Sequence, residues 1–185
     1  MNTTMVTKKR DADIRRSSDG ALLGMGWITI KPEMKNYYRA YMKDKADKER
    51  DKLILTPATS GSVGIDLCSD HDADVLPGER HTFDSGVRLY MRSEDMAGFI
   101  YSRSGLGAKK GLVIAQGVGV IDRDYTGPLL MVMLNNSKET IHVCTGDRIA
   151  QLVFQQIRMP VLYEISEDNM PHTDRGDGGF GSTGK

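Results

Sequence analysis

Apolar and polar residues follow two different patterns along this chain, and the pattern changes near residue 53. Aromatic and β-branched residues at 26–30 predict a first strand, which Pro32 ends. Apolar residues then recur at three- and four-residue spacing, which predicts an inserted helix over residues 33–51. Its second half is almost entirely charged, so we expect water to surround that end. The apolar face consists of Met34, Tyr37, Tyr38, Tyr41 and Met42.

Beyond residue 53, short apolar runs alternate with turns that contain Gly, Pro, Asp and Ser. Runs spaced this closely, with no long helical period between them, predict an antiparallel all-β sandwich or jelly roll. We expect one β domain at 21–170, a polar, disordered arm at 1–20 and a flexible glycine-rich tail at 171–185. The expected strands are 53–55, 65–68, 87–90, 99–101, 112–114, 129–134, 141–143 and 149–154.

The charge balance and the cysteines narrow the class of function. The chain has 25 Lys and Arg against 25 Asp and Glu, so no strong field favours nucleic acid or an anionic membrane. No apolar run approaches the roughly 18 residues that a membrane span needs, and the N-terminus lacks the pattern of a secretory signal. Cys68 and Cys144 are expected to be buried thiols rather than a disulfide framework. These features favour a cytoplasmic protein.

Two glycine-containing segments in the first half of the β region carry candidate chemistry. Asp66 lies within an apolar strand, where an unpaired charge is expensive, so it must be hydrogen-bonded or serve a site. Arg103 and Gly105 follow the strand 99–101 and precede a stretch compatible with a short helix. An arginine fork beside a glycine that admits close approach suits a phosphate. An ordinary turn explains the second segment equally well.

Two further segments place single polar groups among apolar residues. Apolar residues lead into a tight turn within 117–127 and another strand follows, which predicts a hairpin. At its tip, Asp122 has the chemistry to orient and deprotonate a water, and Tyr125 can pack on a sugar. A solvated turn in which Asp122 caps its own backbone is the alternative. In the strand 149–154, Gln151 is bracketed by apolar residues and needs a phosphate, a water or the backbone as a partner.

The segment 175–184 combines many glycines with one arginine, one aromatic ring and two hydroxyls. Glycines let a backbone wrap phosphates, and Arg175 would neutralise their charge. Phe180 can cover a flat ring, while Ser182 and Thr183 can donate hydrogen bonds. The segment therefore suits a lid that orders over a ligand, and a disordered tail is the alternative.

In this order, the five segments resemble the five motifs of the homotrimeric dUTPase family, over roughly residues 53–184. The resemblance is strongest at 119–127, 146–152 and 175–184. It implies a jelly-roll-like β-barrel with a short helix after the second motif, and a trimer whose active sites combine three subunits. It also implies an enzyme that splits dUTP into dUMP and pyrophosphate with Mg2+. Such an enzyme limits uracil in DNA and supplies dUMP for dTMP synthesis.

The resemblance assigns roles to single residues. Asp122 would hold the attacking water, and Tyr125 would pack under the deoxyribose. The hairpin from Gln116 to Ile121 would bind the uracil edge through backbone groups. Gln151 would support the phosphates or the water, and Asp66 would reach the Mg2+ through water. The other substrate-binding residues that it implies are Arg103, Ser104, Gly105, Gly119, Val120, Leu130, Arg175, Phe180, Gly181, Ser182 and Thr183.

This chain departs from the common pattern of the family in places. Ile65 stands where Tyr or Leu is frequent, and Ser102 where Pro is frequent. Residues 33–51 lie where most relatives have a short connection. That insertion makes residues 1–52 a candidate surface for a protein partner.

Two other functions remain open at this point. A dCTP deaminase on the same fold needs a general-base glutamate in the strand after the third motif, and residues 129–134 contain no carboxylate. A zinc-using deaminase needs a His/Cys ligand set, whereas the cysteines and histidines here are scattered along the sequence. A dUTPase fold that acts by binding another protein is the second alternative, and only residues 1–52 support it.

Overall fold

The computed structural model of the chain describes residues 26–42, 46–47, 52–53 and 55–179, without the side chains of 41–42, 46–47 and 52–53. The predicted arm at 1–20 and the end of the predicted lid, 180–185, lie outside the described residues. The helices are α1 (Lys35–Met42) and α2 (Ser104–Lys110), with 3-10 turns at Pro32–Met34 and Glu167–Asn169. The strands are β1 (Gly26–Ile30), β2 (Ala46–Asp47), β3 (Lys52–Leu53), β4 (Ile65–Cys68), β5 (Ala73–Val75), β6 (Arg80–Met91), β7 (Met96–Ser102), β8 (Leu112–Ile114), β9 (Gly119–Ile121), β10 (Pro128–Asn135), β11 (Ile141–Val143) and β12 (Arg148–Gln156).

Two four-stranded antiparallel sheets form the body of the protein. Their strand orders are β1-β6-β10-β8 and β4-β12-β7-β9, and two-stranded pairs join β11 to β5 and β2 to β3. One buried hydrophobic cluster takes side chains from both large sheets. The all-β prediction is therefore confirmed. In the part of the chain that the structure describes, no helix is long and apolar enough to cross a membrane.

Alternation along the strands decides which side chains form the core. In β10, Leu129, Met131 and Met133 are fully buried, whereas Leu130 between them is 46% exposed. In an antiparallel strand, successive side chains point to opposite faces, so only every second residue faces the core. Burying such a side chain stabilises the fold by about 1.5–3 kcal/mol. Leu130 is thereby left on the outer face, near the hairpin.

Most strand predictions are confirmed, and the strands that were missed have a common cause. β5 has a single buried residue, Val75, and the first part of β6 is largely polar. β9 begins at Gly119, which has no side chain and so adds nothing to an alternation of apolar and polar residues. These strands form because their neighbours offer backbone partners, as in the pairing of Val75 with Ile141.

The helix predicted over 33–51 is only partly correct. It is a 3-10 turn followed by α1, which ends at Met42, and Ala46–Asp47 pairs instead with Lys52–Leu53 as a short β-ladder. The reason is that the charged run after Met42 contains one small apolar residue, Ala46, and so cannot continue a buried face. On the predicted apolar face, Met34 in the 3-10 turn and Tyr38 in α1 are buried, whereas Tyr37 is 40% exposed. The side chains of Tyr41 and Met42 lie outside the described residues.

Candidate active site

A buried carboxylate between two arginines lies at one end of the sheet β4-β12-β7-β9. Asp66 on β4 is 8% exposed. Its Oδ1 lies 2.8 Å from Arg103 Nε, and its Oδ2 lies 3.1 Å from Arg148 Nη1. Arg103 Nη1 also donates to the carbonyl oxygen of Arg148 at 2.7 Å. We call Asp66, Arg103 and Arg148 the arginine cluster. Two guanidinium groups against one carboxylate leave it with a net positive charge.

Strand pairing brings Gln151 next to the arginine cluster. Gln151 lies opposite Asp66 in β4 and opposite Tyr101 in β7. Its Nε2 donates to the carbonyl oxygen of Ser102 at 3.0 Å. The rest of its amide lies against Gly64, where a Cβ would overlap Oε1 and displace the side chain. A glycine at 64 is therefore what lets Gln151 keep this position, and the first, second and fourth motifs meet here within one chain.

A cationic cleft of about 220 Å³ opens beside the arginine cluster. Arg103, Arg148 and Lys110 line it together with Asp147 and several apolar side chains. Ser104 and Gly105 begin α2 and are exposed, directly after the extended backbone of Arg103. Three cationic side chains against the single carboxylate of Asp147 leave the cleft with a net positive charge, which favours an anion such as a phosphate.

β8 and its antiparallel partner β10 are joined by residues 115–127, which include β9 and which we call the Asp122 hairpin. β9 itself pairs with β7 in the other large sheet, so the hairpin predicted from two strands paired around the 122–127 turn is not formed. Gly117 has a φ of +83° and closes the turn after β8, where its amide donates to Ile114 O at 3.0 Å. Gly119 is buried, and a Cβ there would press on Ile100 and on the Gln116 amide. Val120 is 61% exposed. The hairpin therefore presents backbone and apolar groups to its surroundings.

The turn at the tip of the hairpin holds an aromatic ring and an unpaired carboxylate. Tyr125 donates its amide to Asp122 O at 3.1 Å and its hydroxyl to Pro128 O at 3.0 Å. Its ring lies over Gly127, where a Cβ would overlap it, and stays 41% exposed. Among the described residues, no group hydrogen-bonds or ion-pairs with the exposed Asp122 carboxylate. The backbone capping that would explain Asp122 without a ligand is absent from this turn.

The chain after β12 runs across the surface with its side chains in solvent. Leu162 is 87% exposed and Tyr163 is 82% exposed. Arg175 is also exposed, and among the described residues its Nε donates to Gly178 O alone, at 2.8 Å and within its own turn. Phe180, Gly181, Ser182 and Thr183 lie outside the described residues, so their predicted roles stay predictions. Large apolar side chains left in water indicate a surface that another molecule covers.

The chain thus brings some of the predicted site residues together and keeps others apart. Asp66, Arg103 and Gln151 are neighbours in one sheet. No hydrogen bond or ion pair in the described part of the chain joins residues 116–130 to Arg103 or Gln151. Within the described part of one chain, the two groups are therefore separate clusters without a direct polar contact.

Sequence reasoning missed the role of Arg148 and misjudged two other features. Arg148 stands out in the sequence only as a member of the segment 146–152, and it is the pairing of β12 with β4 that brings it to Asp66. His71 and His81, thought to be scattered, meet at 2.9 Å between their Nε2 atoms. The described residues still contain no group of three or more His, Cys, Asp or Glu suited to a metal ion. Cys144 is exposed, contrary to prediction, while Cys68 is buried.

Comparison with known proteins decides the family. The dUTPase family model matches residues 50–184. The chain belongs to the dUTPase family. The deoxyuridine 5′-triphosphate nucleotidohydrolase of Haemophilus influenzae strain PittEE is 43% identical over 134 residues, which cover 71% of this chain and 87% of that protein.

Solved dUTPase structures share the fold. The crystal structure of the Streptococcus mutans dUTPase is 28% identical, with a TM-score of 0.54 over 58% of this chain and 88% of that one. A mutant dUTPase of Staphylococcus bacteriophage 80alpha, solved with dUpNHpp, is 23% identical, with a TM-score of 0.65 over 87% of this chain and 99% of that one. The jelly-roll-like β-barrel predicted from the sequence is thereby confirmed.

Proposed function

We propose that this protein hydrolyses dUTP to dUMP and pyrophosphate by attack of water on the α-phosphorus. The observation that carries the proposal is the free carboxylate of Asp122, exposed at the hairpin tip inside a segment that matches the dUTPase family. A base that accepts a proton from water needs an accessible lone pair within hydrogen-bond reach of that water. Among the described residues, Asp122 meets that condition, while Asp66 is held by arginines.

The proposed active site combines three copies of the chain. Among the described residues, the arginine cluster and the Asp122 hairpin make no polar contact with each other, and the segment after β12 leaves large apolar side chains in water. A homotrimer explains both features, because each copy supplies the part of the site that its neighbours lack. The exposed Leu162 and Tyr163 would then be covered by a second subunit.

The nucleoside is assigned to the hairpin. The backbone from Gln116 to Ile121, including Gly119 and Val120, would bind the uracil edge. The exposed ring of Tyr125 would pack under the deoxyribose and disfavour a 2′-hydroxyl there. Leu130, exposed on the returning strand, would complete the apolar wall.

The triphosphate is assigned to the cationic cleft and the tail. Arg103, Ser104 and Gly105 at the start of α2 would bind phosphate oxygens, and Gln151 would hold a phosphate or the attacking water. The third subunit would close the site with residues 175–183. In that tail, Phe180 would cover the uracil, and the phosphates would be bound by Arg175, Gly181, Ser182 and Thr183.

The proposed reaction is an in-line displacement. Asp122 orients a water and takes its proton as the oxygen attacks the α-phosphorus. The bond between the α-phosphorus and its bridging oxygen breaks, and pyrophosphate leaves with the electron pair. Charge grows on the leaving oxygens, so the positive cleft stabilises the transition state more than the ground state.

Magnesium fits this site as part of the substrate. dUTPases generally use Mg2+, but the described residues hold no cluster of three potential ligands, and Asp66 is engaged by both arginines. Mg2+ keeps several waters and binds one or two carboxylates together with substrate phosphates. The ion would therefore arrive bound to the triphosphate, whose charge it offsets, and Asp66 would contact it through water.

In the cell, this activity would limit uracil in DNA and supply dUMP for dTMP synthesis. A cytoplasmic location is part of the proposal, and it is supported by the free thiols of Cys68 and Cys144. A protein partner for residues 1–52 stays a prediction.

Substrate specificity tests the proposal directly. Pyrophosphate release is measured with dUTP, dTTP, dCTP and UTP side by side, with Mg2+ and with EDTA, and ammonia release is measured with dCTP. We expect pyrophosphate from dUTP alone, dependent on Mg2+, and no ammonia. Ammonia from dCTP would establish a deaminase instead, and turnover of all four nucleotides would refute the specificity assigned to the hairpin.

A further inference from the structure

We propose that α1, through Tyr37 and Tyr38, positions the arginine cluster for the triphosphate. α1 lies outside the segment 50–184 that matches the dUTPase family, yet it packs on the ends of two segments that build the site. The inference rests on the proposed function, because it names the triphosphate as the ligand that the cluster binds. Tyr37 and Tyr38 are positioning residues and make no contact with the substrate.

Tyr38 holds the strand that carries Asp66. Its side chain is fully buried, and its hydroxyl accepts the amide of Cys68 at 3.2 Å and donates to Ser85 O at 2.8 Å. Burial raises the pKa of the Tyr38 hydroxyl, so it stays a neutral donor. Cys68 lies two residues after Asp66 and pairs with Arg148, beside an irregularity in the β12 register. The hydroxyl therefore fixes the backbone where the two strands of the cluster meet.

Tyr37 holds the turn that leads to Arg148. Gly146 has a φ of +87°, and a Cβ there would overlap the Tyr37 ring. On its other side, this turn is tied to the end of β4, because Gly146 N donates to Ser69 O and Ser69 N donates to Asp147 O, each at 2.8 Å. The turn is thus confined between the strand and the tyrosine ring. Arg148 follows directly after it.

The start of the inserted segment is anchored separately. Lys31 N donates to Gly86 O at 2.8 Å, and the buried side chain of Met34 fills the space beside Gly86. This anchor keeps α1 on the protein when a single tyrosine contact is lost. A change at Tyr37 should then act on the turn and the cluster rather than on the whole fold.

A shift of the turn would reach both arginines. Arg148 binds Asp66 through its guanidinium, and its carbonyl accepts from Arg103 at 2.7 Å. Moving the Arg148 backbone therefore moves a partner of Arg103 as well. Small displacements of groups that bind a substrate can cost a large factor in rate or affinity.

The test compares Tyr37→Ala with Tyr37→Phe, which keeps the ring, and with Trp27→Ala, which removes an exposed ring from β1. We expect Tyr37→Ala to raise KM for dUTP about tenfold and to change kcat less than about twofold. Its affinity for dUMP, which lacks the two outer phosphates, should change little. Tyr37→Phe and Trp27→Ala should match the wild type. A Tyr37→Ala protein with wild-type KM would overturn the inference.

Two measurements keep the inference independent of folding and of activity. Tyr38→Phe preserves the buried volume and should raise KM about threefold, since the Cys68 amide loses its partner. Amide hydrogen exchange in residues 144–150 should be faster in Tyr37→Ala than in Trp27→Ala, without any substrate. Unchanged hydrogen exchange in Tyr37→Ala would overturn the positioning role, whatever the activity of the wild type. Failure of the wild type to hydrolyse dUTP would refute the proposed function alone.

Discussion

The arginine cluster and the Asp122 hairpin carry carboxylates in opposite states. Asp66 is buried and bound by two guanidinium groups, whereas Asp122 is exposed and unpaired among the described residues. A buried charge without partners destabilises a fold, so Asp66 has to be satisfied by the chain itself. A carboxylate that accepts a proton must instead remain available. The difference indicates that the contacts of Asp66 are complete once the chain folds. Asp122, by contrast, is left to contact a ligand or a second copy of the chain.

The tail belongs with the hairpin in this comparison. In the part of the chain that the structure describes, Arg175 hydrogen-bonds only within its own turn, whereas Arg103 binds both an aspartate and a backbone carbonyl. An arginine without a distant partner is free to reorient toward a phosphate when the segment closes. Part of the positive charge of the proposed site is therefore held in place by the sheet, at Arg103. The rest, at Arg175, would reach the site when the tail closes.

The largest expected effect comes from removing the free carboxylate. Asp122→Asn should lower kcat about 100-fold or more, because general-base help is typically worth that factor. Binding of a non-hydrolysable dUTP analogue should stay close to wild type, as should the unfolding midpoint. Steady-state kinetics and calorimetric titration measure the two effects. Undiminished turnover would remove Asp122 from the mechanism.

Deleting residues 175–185 should have the next largest effect. Activity should fall at least about tenfold because the proposed lid over the triphosphate is lost. Arg175 makes its contact within the tail, so the thermal unfolding midpoint and the trimer measured by light scattering should not change. Full activity in the truncated protein would show that residues 175–185 do not form a lid.

Asp122 is expected to matter most for activity, whereas Asp66 should matter most for stability. Asp66→Ala leaves Arg103 and Arg148 facing each other without their anion, and we expect it to cost about 2 kcal/mol of unfolding free energy. Asp122→Ala should change the unfolding free energy by less than about 0.5 kcal/mol, since it breaks no contact. Urea unfolding at one fixed protein concentration compares them. Equal losses of unfolding free energy in the two variants would contradict the distinction between the paired Asp66 and the unpaired Asp122.

The sequence predicted the body of the fold because its pattern reports burial residue by residue. The strand 129–134 and the buried Asp66 follow from apolar runs and from the cost of charge. The end of the inserted helix was not predictable in the same way, because the β2–β3 ladder depends on pairing rather than on an apolar face. The contact between Tyr37 and Gly146 spans more than a hundred residues, so no local pattern encodes it.

The site was predicted as motifs, but not as a geometry. The position of Asp122 in a turn follows from the residues around it, whereas the placement of β9 and β10 in different sheets does not. That Arg148 would bind the same carboxylate as Arg103 depends on the register of β12 against β4, which the sequence does not display. The separation of the hairpin from the cluster likewise appears only when the sheets are assembled.

The smallest expected effect concerns the reactivity of the two thiols, one of which, Cys68, lies close to Asp66. Cys68 follows Asp66 by two residues, and burial, together with the nearby carboxylate, raises the pKa of its thiol to about 12. Cys144 is exposed. At pH 8 a disulfide reagent should therefore modify one thiol per native chain and two in denaturant, because only the thiolate reacts. Cys144→Ser should leave the native protein unreactive, and rapid modification of Cys68 in that variant would show that the region around Asp66 opens far more readily than its buried contacts imply.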